Sequence, residues 1–248
     1  RYSATVLAIN PLLFACLAFA SSALMLLWLA GPGRLARETI RSAETWAYGF
    51  ILFVTYILVF LLFGRVTATE GSLLLMLGMN LSLLVGWFFF SRRPGKGQWV
   101  GNAIVFGGLA LTLFDLTTPD QFSIYLLTLL LGLVAALRVA LAETHRTHSL
   151  ATTLPDPKAQ MRVVAFVMFV VSLIFLGFTL VVGTLKVLAP PEANLGWASA
   201  FPNLTDFLNP VTIIAGMLYG WVMMAPLRYF EFASTHRIKG ENYLTVTA

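Results

Sequence analysis

The chain has 248 residues, of which 58% are hydrophobic and 11% are charged, and its mean hydropathy is +0.84. Soluble domains carry about 25% charged residues, and disordered chains combine low hydrophobicity with high net charge, so this composition excludes both classes. A single cysteine excludes a disulfide scaffold, and the net charge of +5 fits a polytopic membrane protein with basic cytoplasmic loops better than a nucleic-acid-binding protein.

Seven segments of the chain are long and apolar enough to cross a bilayer, which takes about 20 residues of helix. Their apolar runs are too continuous for barrel strands, which alternate over about 10 residues. We therefore predict an all-α bundle of transmembrane helices, since in lipid each backbone amide must bond within its own segment. The predicted spans are residues 5–30, 46–64, 71–90, 99–116, 122–142, 163–189 and 210–233.

Lysine and arginine concentrate in every second loop between these spans, and such loops are typically cytoplasmic. The basic loops contain Arg34, Arg37 and Arg41, then Arg92, Arg93 and Lys96, then Arg146, Lys158 and Arg162, and lastly Arg237 and Lys239. This pattern predicts a multi-pass protein of the cell (inner or plasma) membrane, with the amino end of this chain outside. The longest outer segment, residues 190–209, is interpreted as a connecting loop, with an interfacial helix or a cover as the alternative.

The sequence contains no arrangement typical of an enzyme or a metal site. His145, His148 and His236 fall in predicted cytoplasmic loops, and we expect them to be solvated, because no cysteine or carboxylate cluster completes a ligand set. Cys16 lies in an apolar run and is interpreted as a small packing residue. We accordingly predict no enzymatic activity, no metal and no cofactor.

Charged residues within the spans lie near the predicted helix ends, where we expect them to be interfacial. Arg228 and Glu231 are three residues apart and can therefore share a helix face and pair. The residues in this class are Glu70, Asp115, Arg138, Lys186, Arg228 and Glu231.

Uncharged polar residues lie deeper in the spans, where they either bond between helices or line a cavity for a neutral or zwitterionic solute. They are Thr55, Tyr56, Asn80, Ser82, Tyr125, Thr128, Ser172, Thr179 and Tyr219. Packing is the favoured reading for any single one. Asn80 and Tyr219 are the preferred substrate-binding candidates, because each lies deep in its span near small residues, and Tyr56 and Tyr125 complete the predicted set.

The seventh span contains two features of helix packing. Gly216 and Gly220 form a GxxxG pattern, which lets two helix backbones approach closely. Pro226 is expected to free a backbone carbonyl and to kink the helix, and irregular helices near the middle of the membrane often mark transport sites.

The order of these features resembles the drug/metabolite transporter superfamily, specifically its EamA-like exporters. The resemblance rests first on a helix that starts with small residues at 67–74, continues through Gly86-Trp87 to a basic loop, and is followed by a helix entered at Trp99–Gly101. In addition, residues 10–15 resemble the start of the family's second helix, and residues 216–229 resemble its eighth helix. The sequence departs from the family pattern at Leu17–Ala20, which lacks an arginine, at Gly78–Asn80, which lacks a proline, and at Arg92-Arg93, where a glutamate is common.

The resemblance implies ten helices in two inverted halves, of which this chain would hold helices two to eight, with residues 1–117 in the first half and 118–248 in the second. It explains why Arg1–Ser3 and Tyr243–Ala248 look like cut ends. It also implies a secondary transporter or exporter of small metabolites, such as amino acids or amphipathic compounds, working by alternating access. Its expected partners are a small-molecule substrate, the lipid bilayer and a second copy in a homodimer, without nucleic acid. The alternative is a non-transporting membrane subunit or anchor of a larger complex.

Overall fold

The fold is described from a computed structural model over residues 10–31, 33–90, 94–114, 121–156, 158–188 and 201–238. Every regular element in these ranges is a helix, as lipid requires of a backbone that must satisfy its own amides. In chain order they are α1 (Pro11–Ala30), α2 (Ala36–Arg41), α3 (Ala43–Phe63), α4 (Ala68–Leu75), α5 (Leu77–Phe90), α6 (Lys96–Phe114), α7 (Gln121–Thr144), α8 (Arg146–Thr153), α9 (Ala159–Leu188), a 3₁₀ helix (Leu204–Leu208), α10 (Pro210–Tyr219), a π-helical turn (Gly220–Met224) and α11 (Ala225–Ile238).

Five helical segments in the described ranges are long and apolar enough to cross a membrane. They are Pro11–Ala30, Ala43–Phe63, Phe122–Thr153, Ala159–Leu188 and Pro210–Ser234. These segments match the first, second, fifth, sixth and seventh predicted spans, and the prediction of an all-α polytopic bundle is confirmed. Residues 5–9 of the first predicted span, 115–116 of the fourth and 189 of the sixth lie outside the described ranges.

The third predicted span, residues 71–90, consists of two helices rather than one. α4 ends at Leu75 and α5 begins at Leu77. Between them, the Met76 N–H donates to the carbonyl oxygen of Leu73, 3.1 Å away and only three residues back. Such a tighter turn interrupts the α-helical hydrogen-bond ladder, so the span is helical on both sides of Met76 but not continuous.

A capping box starts α4. The Thr67 hydroxyl accepts a hydrogen bond from the Glu70 N–H, and the Glu70 carboxylate accepts one of 2.7 Å from the Thr67 N–H. These bonds satisfy two amides that the first helical turn leaves open. The Thr67 hydroxyl also donates to this carboxylate, so the Glu70 side chain is part of the cap of α4.

Contacts divide the chain into two compact units, which interleave along the sequence. The first unit comprises Arg1–Phe53 and His145–Phe232, and the second comprises Val54–Thr144 and Ala233–Ala248. The boundaries fall inside α3, between α7 and α8, and inside α11. This division follows contacts rather than the predicted repeat, so the assignment of residues 1–117 and 118–248 to two halves stays a prediction.

The first unit is built around α1 packed along α9. Small residues of α1 let the two helices approach, and the Phe19 ring lies 5.4 Å from the Phe175 ring. Cys16 is buried beside α9, with its sulfur 3.7 Å from the Ser172 carbonyl oxygen, which confirms the interpretation of this cysteine as a packing residue. In lipid such van der Waals contact is a main source of helix association.

The GxxxG pattern, with Gly216 on α10 and Gly220 at the start of the π-helical turn, contacts the other side of α1. A β-carbon on Gly220 would lie 1.9 Å from the Ser21 Oγ and 2.4 Å from the Ala18 carbonyl oxygen, and one on Gly216 would lie 2.8 Å from the Leu17 Cβ. The Ser21 hydroxyl also lies 3.4 Å from the Met217 carbonyl oxygen, within hydrogen-bonding reach. The predicted close approach of backbones is therefore confirmed, since only glycine leaves room for it.

A π-helical turn separates α10 from α11. The Ala225 N–H donates to the carbonyl oxygen of Gly220, five residues back, instead of the usual four. Pro226 follows directly; it has no N–H, and its ring would clash with the Val222 carbonyl in a regular helix. A wider turn before the proline relieves this clash, which gives the physical form of the irregularity predicted at Pro226.

Two cations cap the carboxyl end of α1. The buried Arg162 guanidinium donates to the carbonyl oxygens of Gly31, at 2.9 Å, and Ala30, at 3.2 Å. The Lys158 ammonium donates to the Leu29 carbonyl oxygen at 3.0 Å. Positive charge is favourable at this end of a helix, where the last carbonyls have no partner within the helix. A basic loop predicted from topology thus also holds the first unit together.

We expect Arg162→Met to lower the stability of the protein by about 2 kcal/mol or more, because charge-assisted hydrogen bonds of this kind contribute about 1.5–3 kcal/mol. The substitution also breaks the 2.8 Å pair with Asp156, which lowers the pKa of that carboxyl group in the native protein. Thermal unfolding in detergent measures the effect. Arg37→Met, an equal charge change at an exposed position of α2, is the control; equal melting temperatures for the two variants would contradict the capping role.

The second unit has its own apolar core. Its buried residues come from the end of α3, the turn that follows it, α4, α6 and α7, and Leu81 of α5 packs against them. The buried members of this cluster are Leu62, Val66, Leu74, Leu109, Ile124 and Leu131. α5 also packs along α7, so Asn80 on α5 and Thr128 on α7 lie on neighbouring helices of this unit.

Candidate functional site

The four predicted substrate-binding residues are distributed over both units. Tyr56 on α3, Asn80 on α5 and Tyr125 on α7 belong to the second unit, whereas Tyr219 on α10 belongs to the first. Tyr56 and Tyr125 are half-buried. Their role in binding stays a prediction.

Asn80 has the environment expected of a ligand-binding residue. Its side chain is 2% exposed, and its amide nitrogen has no hydrogen-bond partner in the described structure. It lies four residues after the interruption at Met76, next to Leu81 of the apolar core. A buried amide without a partner costs about 1–3 kcal/mol, so its presence calls for a partner such as water or a bound solute.

Thr128 shares this property, although sequence reasoning did not select it for the site. It is 1% exposed on α7, and its hydroxyl has no hydrogen-bond partner among the described residues. Sequence reasoning names Thr128 only as one of nine polar residues within spans. The signal that singles it out is the missing partner, which depends on the packing of α7 and cannot be seen in the sequence.

Tyr219 is 38% exposed and contacts α1. Its ring lies 5.2 Å from the Phe14 ring at an interplanar angle of 45°. It directly precedes the π-helical turn that begins at Gly220. Its phenol is therefore available at the surface of the first unit, beside the irregular part of the seventh span.

The prediction of solvated histidines is wrong for His145 and His148, which are 0% and 1% exposed. The Phe232 ring lies 5.6 Å from the His145 ring and 5.3 Å from the His148 ring, and it also packs against Tyr48. The Phe232 side chain of α11 thus packs against both buried imidazoles. The side chain of His236 lies outside the described part of the structure.

His145 caps the short helix α8. Its Nδ1 accepts a bond from the His148 N–H at 3.4 Å and lies 3.1 Å from the Thr147 hydroxyl. Because a backbone N–H can only donate, Nδ1 is the acceptor, and the ring proton belongs on Nε2, which lies 3.0 Å from the Thr45 hydroxyl. The Glu44 carboxylate accepts a hydrogen bond of 2.6 Å from the Arg146 N–H, a second amide at the start of α8. This arrangement is typical of a structural cap.

We expect His145→Leu to destabilise the protein by about 1–2 kcal/mol, because it removes the cap of α8 and leaves the buried Thr45 hydroxyl without this partner. His145→Asn should recover part of the loss, since asparagine is a good capping residue. Melting temperatures measured in detergent test this, with Thr152→Ala on the exposed side of α8 as the control. A leucine variant that melts with the wild type would exclude the capping role.

The pairing predicted for Arg228 and Glu231 of the seventh span is confirmed, and the expectation that these charges lie near the membrane interface stays a prediction. Both side chains are buried, and an Arg228 Nη1 donates to the Glu231 carboxylate within the helix. The guanidinium also lies over the Phe19 ring, 5.9 Å from its centre. The pair is retained inside the first unit because each charge neutralises the other, and unpaired burial would be costly.

Lys186 has a structural contact of its own. Its ammonium donates to the Phe201 carbonyl oxygen and to the Asn203 side chain, 3.2 Å away. It therefore ties the end of α9 to the segment before the 3₁₀ helix. Residues 190–200 of the predicted connecting loop lie outside the described ranges.

No group of three or more His, Cys, Asp or Glu side chains that could hold a metal ion occurs among the described residues. An open groove on α4 is lined by Thr69, Ser72, Leu73 and Met76, and it contains no predicted site residue. The unpartnered buried groups at Asn80 and Thr128 remain the features best suited to bind a solute.

Residues 2–114 of the chain match the EamA-like transporter family, which is part of the drug/metabolite transporter superfamily. The resemblance noted from the sequence is thereby confirmed over this part of the chain. No curated protein and no solved structure gives a significant match.

Proposed function

We propose that this chain, which matches the EamA-like transporter family over residues 2–114, is part of a secondary transporter that moves small metabolites by alternating access. The observation that carries the proposal is the buried amide of Asn80, which has no hydrogen-bond partner among the described residues and lies four residues after the interruption of the third span. Irregular helices near the middle of the membrane are typical places for substrate sites in such carriers.

The polar groups proposed to face the substrate are neutral, and this narrows its chemistry. An amide, a hydroxyl or a phenol binds a neutral or zwitterionic solute without burying an uncompensated protein charge. Amino acids and small amphipathic compounds fit this requirement. Asn80 is the principal binding residue in this proposal, and Tyr56, Tyr125 and Tyr219 are further contributors.

The proposal also states where the protein lies and how it is oriented: it spans the cell membrane, with its basic loops on the cytoplasmic side. It is supported by the alternation of basic and non-basic loops along the sequence. Cysteines introduced one at a time at Arg37 and at Thr205, in a protein that also carries Cys16→Ala, are labelled in intact and in permeabilised cells to test it. Labelling of the Arg37 position in intact cells would reverse the orientation.

Transport assays on the full-length protein in liposomes test the function directly. The assay uses labelled amino acids and amphipathic compounds, with and without a pH gradient, and empty liposomes as the control. Saturable uptake selective for part of the panel is expected. Flux no greater than that of empty liposomes for every compound, together with a stoichiometric partner that co-purifies in mild detergent, would instead favour a membrane anchor.

A further inference from the structure

We infer that Thr128 is a second substrate-binding residue, which acts with Asn80 to hold an acceptor oxygen of the transported solute, a carboxylate or a carbonyl group. The inference rests on the proposed transport function and adds a residue and a ligand chemistry to it.

The hydroxyl of Thr128 differs from most buried hydroxyls in the described part of the chain. Seven other buried serine and threonine side chains bond to a backbone carbonyl or to another side chain; these are Ser21, Ser22, Thr39, Thr45, Thr147, Ser172 and Thr179. A threonine inside a helix commonly donates to the carbonyl four residues back, as Thr179 does to Phe175 at 2.8 Å. Thr128 makes no such bond, so its hydroxyl remains open to another partner.

Thr128 and Asn80 lie on two helices that pack together. α5 carries Asn80 and α7 carries Thr128, and these helices form one of the main contacts of the second unit. Leu81 and Leu127, the sequence neighbours of the two polar residues, pack against the same apolar cluster. Both open polar groups are therefore buried in the second unit, on helices that pack against each other.

The chemistry of the two groups selects the solute. The Asn80 Nδ2 can only donate hydrogen bonds, and the Thr128 hydroxyl can donate one. Since neither donor has an acceptor among the described residues, both can donate to one oxygen atom of a bound solute. A carboxylate accepts such bonds most strongly, because hydrogen bonds to an ionised group are about twice as strong as neutral ones. A neutral carbonyl has the same geometry and is the weaker alternative.

The test compares Thr128→Val with Thr128→Ser in the full-length protein. Valine keeps the shape of threonine without the hydroxyl, so we expect an unchanged or higher melting temperature together with an increase of about ten-fold or more in KM. Serine keeps the hydroxyl and should stay within about two-fold of the wild type. Thr179→Val is the control, because it removes a hydroxyl of the first unit that is already bonded. Its KM should equal that of the wild type, and its melting temperature should not rise.

A double-mutant cycle shows whether the two residues act together. If Asn80 and Thr128 hold the same oxygen, Asn80→Ala combined with Thr128→Val should raise KM by less than the product of the single effects. Amino acids compared with their amides, which keep a carbonyl but lose the carboxylate charge, distinguish the two acceptor groups. If a carboxylate is the bound group, Thr128→Val should raise KM more for the amino acid than for its amide.

Stabilisation of the detergent-solubilised protein by amino acids and their amides provides a readout that does not need flux. A rise in melting temperature seen with the wild type and lost with Thr128→Val supports the inference. Saturable flux whose KM is the same in Thr128→Val and wild type overturns the role of Thr128 and leaves the proposed function standing. Absence of both flux and stabilisation in the wild type overturns both.

Discussion

Replacing Gly220 with alanine is expected to destabilise the first unit by about 3 kcal/mol or more and to lower the yield of folded protein sharply. The added β-carbon would lie 1.9 Å from the Ser21 Oγ and 2.4 Å from the Ala18 carbonyl oxygen. A side chain can rotate away, but a backbone carbonyl cannot move without separating α10 from α1. Forcing extra atoms into such a contact costs about 1–3 kcal/mol and sometimes more.

Gly177→Ala is the matched control for this experiment. Gly177 lies on α9 in the same unit, and apart from the backbone of its own helix no atom of the described residues lies within 4 Å of the β-carbon that alanine would add. Alanine is favoured over glycine in a helix by about 1 kcal/mol, so this variant should melt at or above the wild-type temperature. Ser21→Ala combined with Gly220→Ala should restore only part of the stability, because the Ala18 carbonyl remains. Equal melting temperatures for Gly220→Ala and Gly177→Ala would contradict the close approach.

Replacing Asn80 with leucine is expected to reduce transport by at least about ten-fold while raising the melting temperature. The amide nitrogen is buried without a partner, so an apolar side chain of similar size removes a cost of about 1–3 kcal/mol. The same change removes the hydrogen-bond donor that we assign to the substrate. Flux per folded protein in liposomes and thermal unfolding in detergent measure the two effects separately.

A variant that is more stable but less active identifies a binding residue rather than a packing residue, because a functional site retains groups that do not stabilise the protein without its substrate. Asn102→Leu, at a half-buried position of α6 in the same unit, controls for the loss of an amide and should change flux by less than about two-fold. A lower melting temperature for Asn80→Leu with unchanged flux in the folded fraction would assign Asn80 to packing.

Much of the helical architecture is predictable from the sequence. Local signals are sufficient there: the GxxxG pattern at Gly216 and Gly220 predicts a close helix contact, and Pro226 predicts an irregular turn, which the structure realises as a π-helical turn. The interruption at Met76 is not predicted, because no proline or charge marks it within a continuous apolar run.

Of the two principal residues of the candidate site, the sequence predicts Asn80 but not Thr128. Asn80 stands out in the sequence because an amide is rare in a deep apolar span. Thr128 does not, since threonine in a membrane helix normally bonds to its own backbone, and only the structure shows that this bond is missing. The histidines illustrate the same limit, because their position between two apolar runs predicts a solvated loop.

The sequence by itself determined the membrane class and the helical secondary structure of this protein, because lipid imposes long apolar runs and internally bonded backbone on any chain that crosses it. The tertiary structure alone decided which polar groups lose contact with water. Thr45 meets His145 across 100 residues of chain, and Arg162 reaches Ala30 across 132. Hydropathy is a property of neighbouring residues, whereas burial depends on helices far apart in sequence, so the buried cap at His145 and the open hydroxyl at Thr128 emerge only when those helices pack.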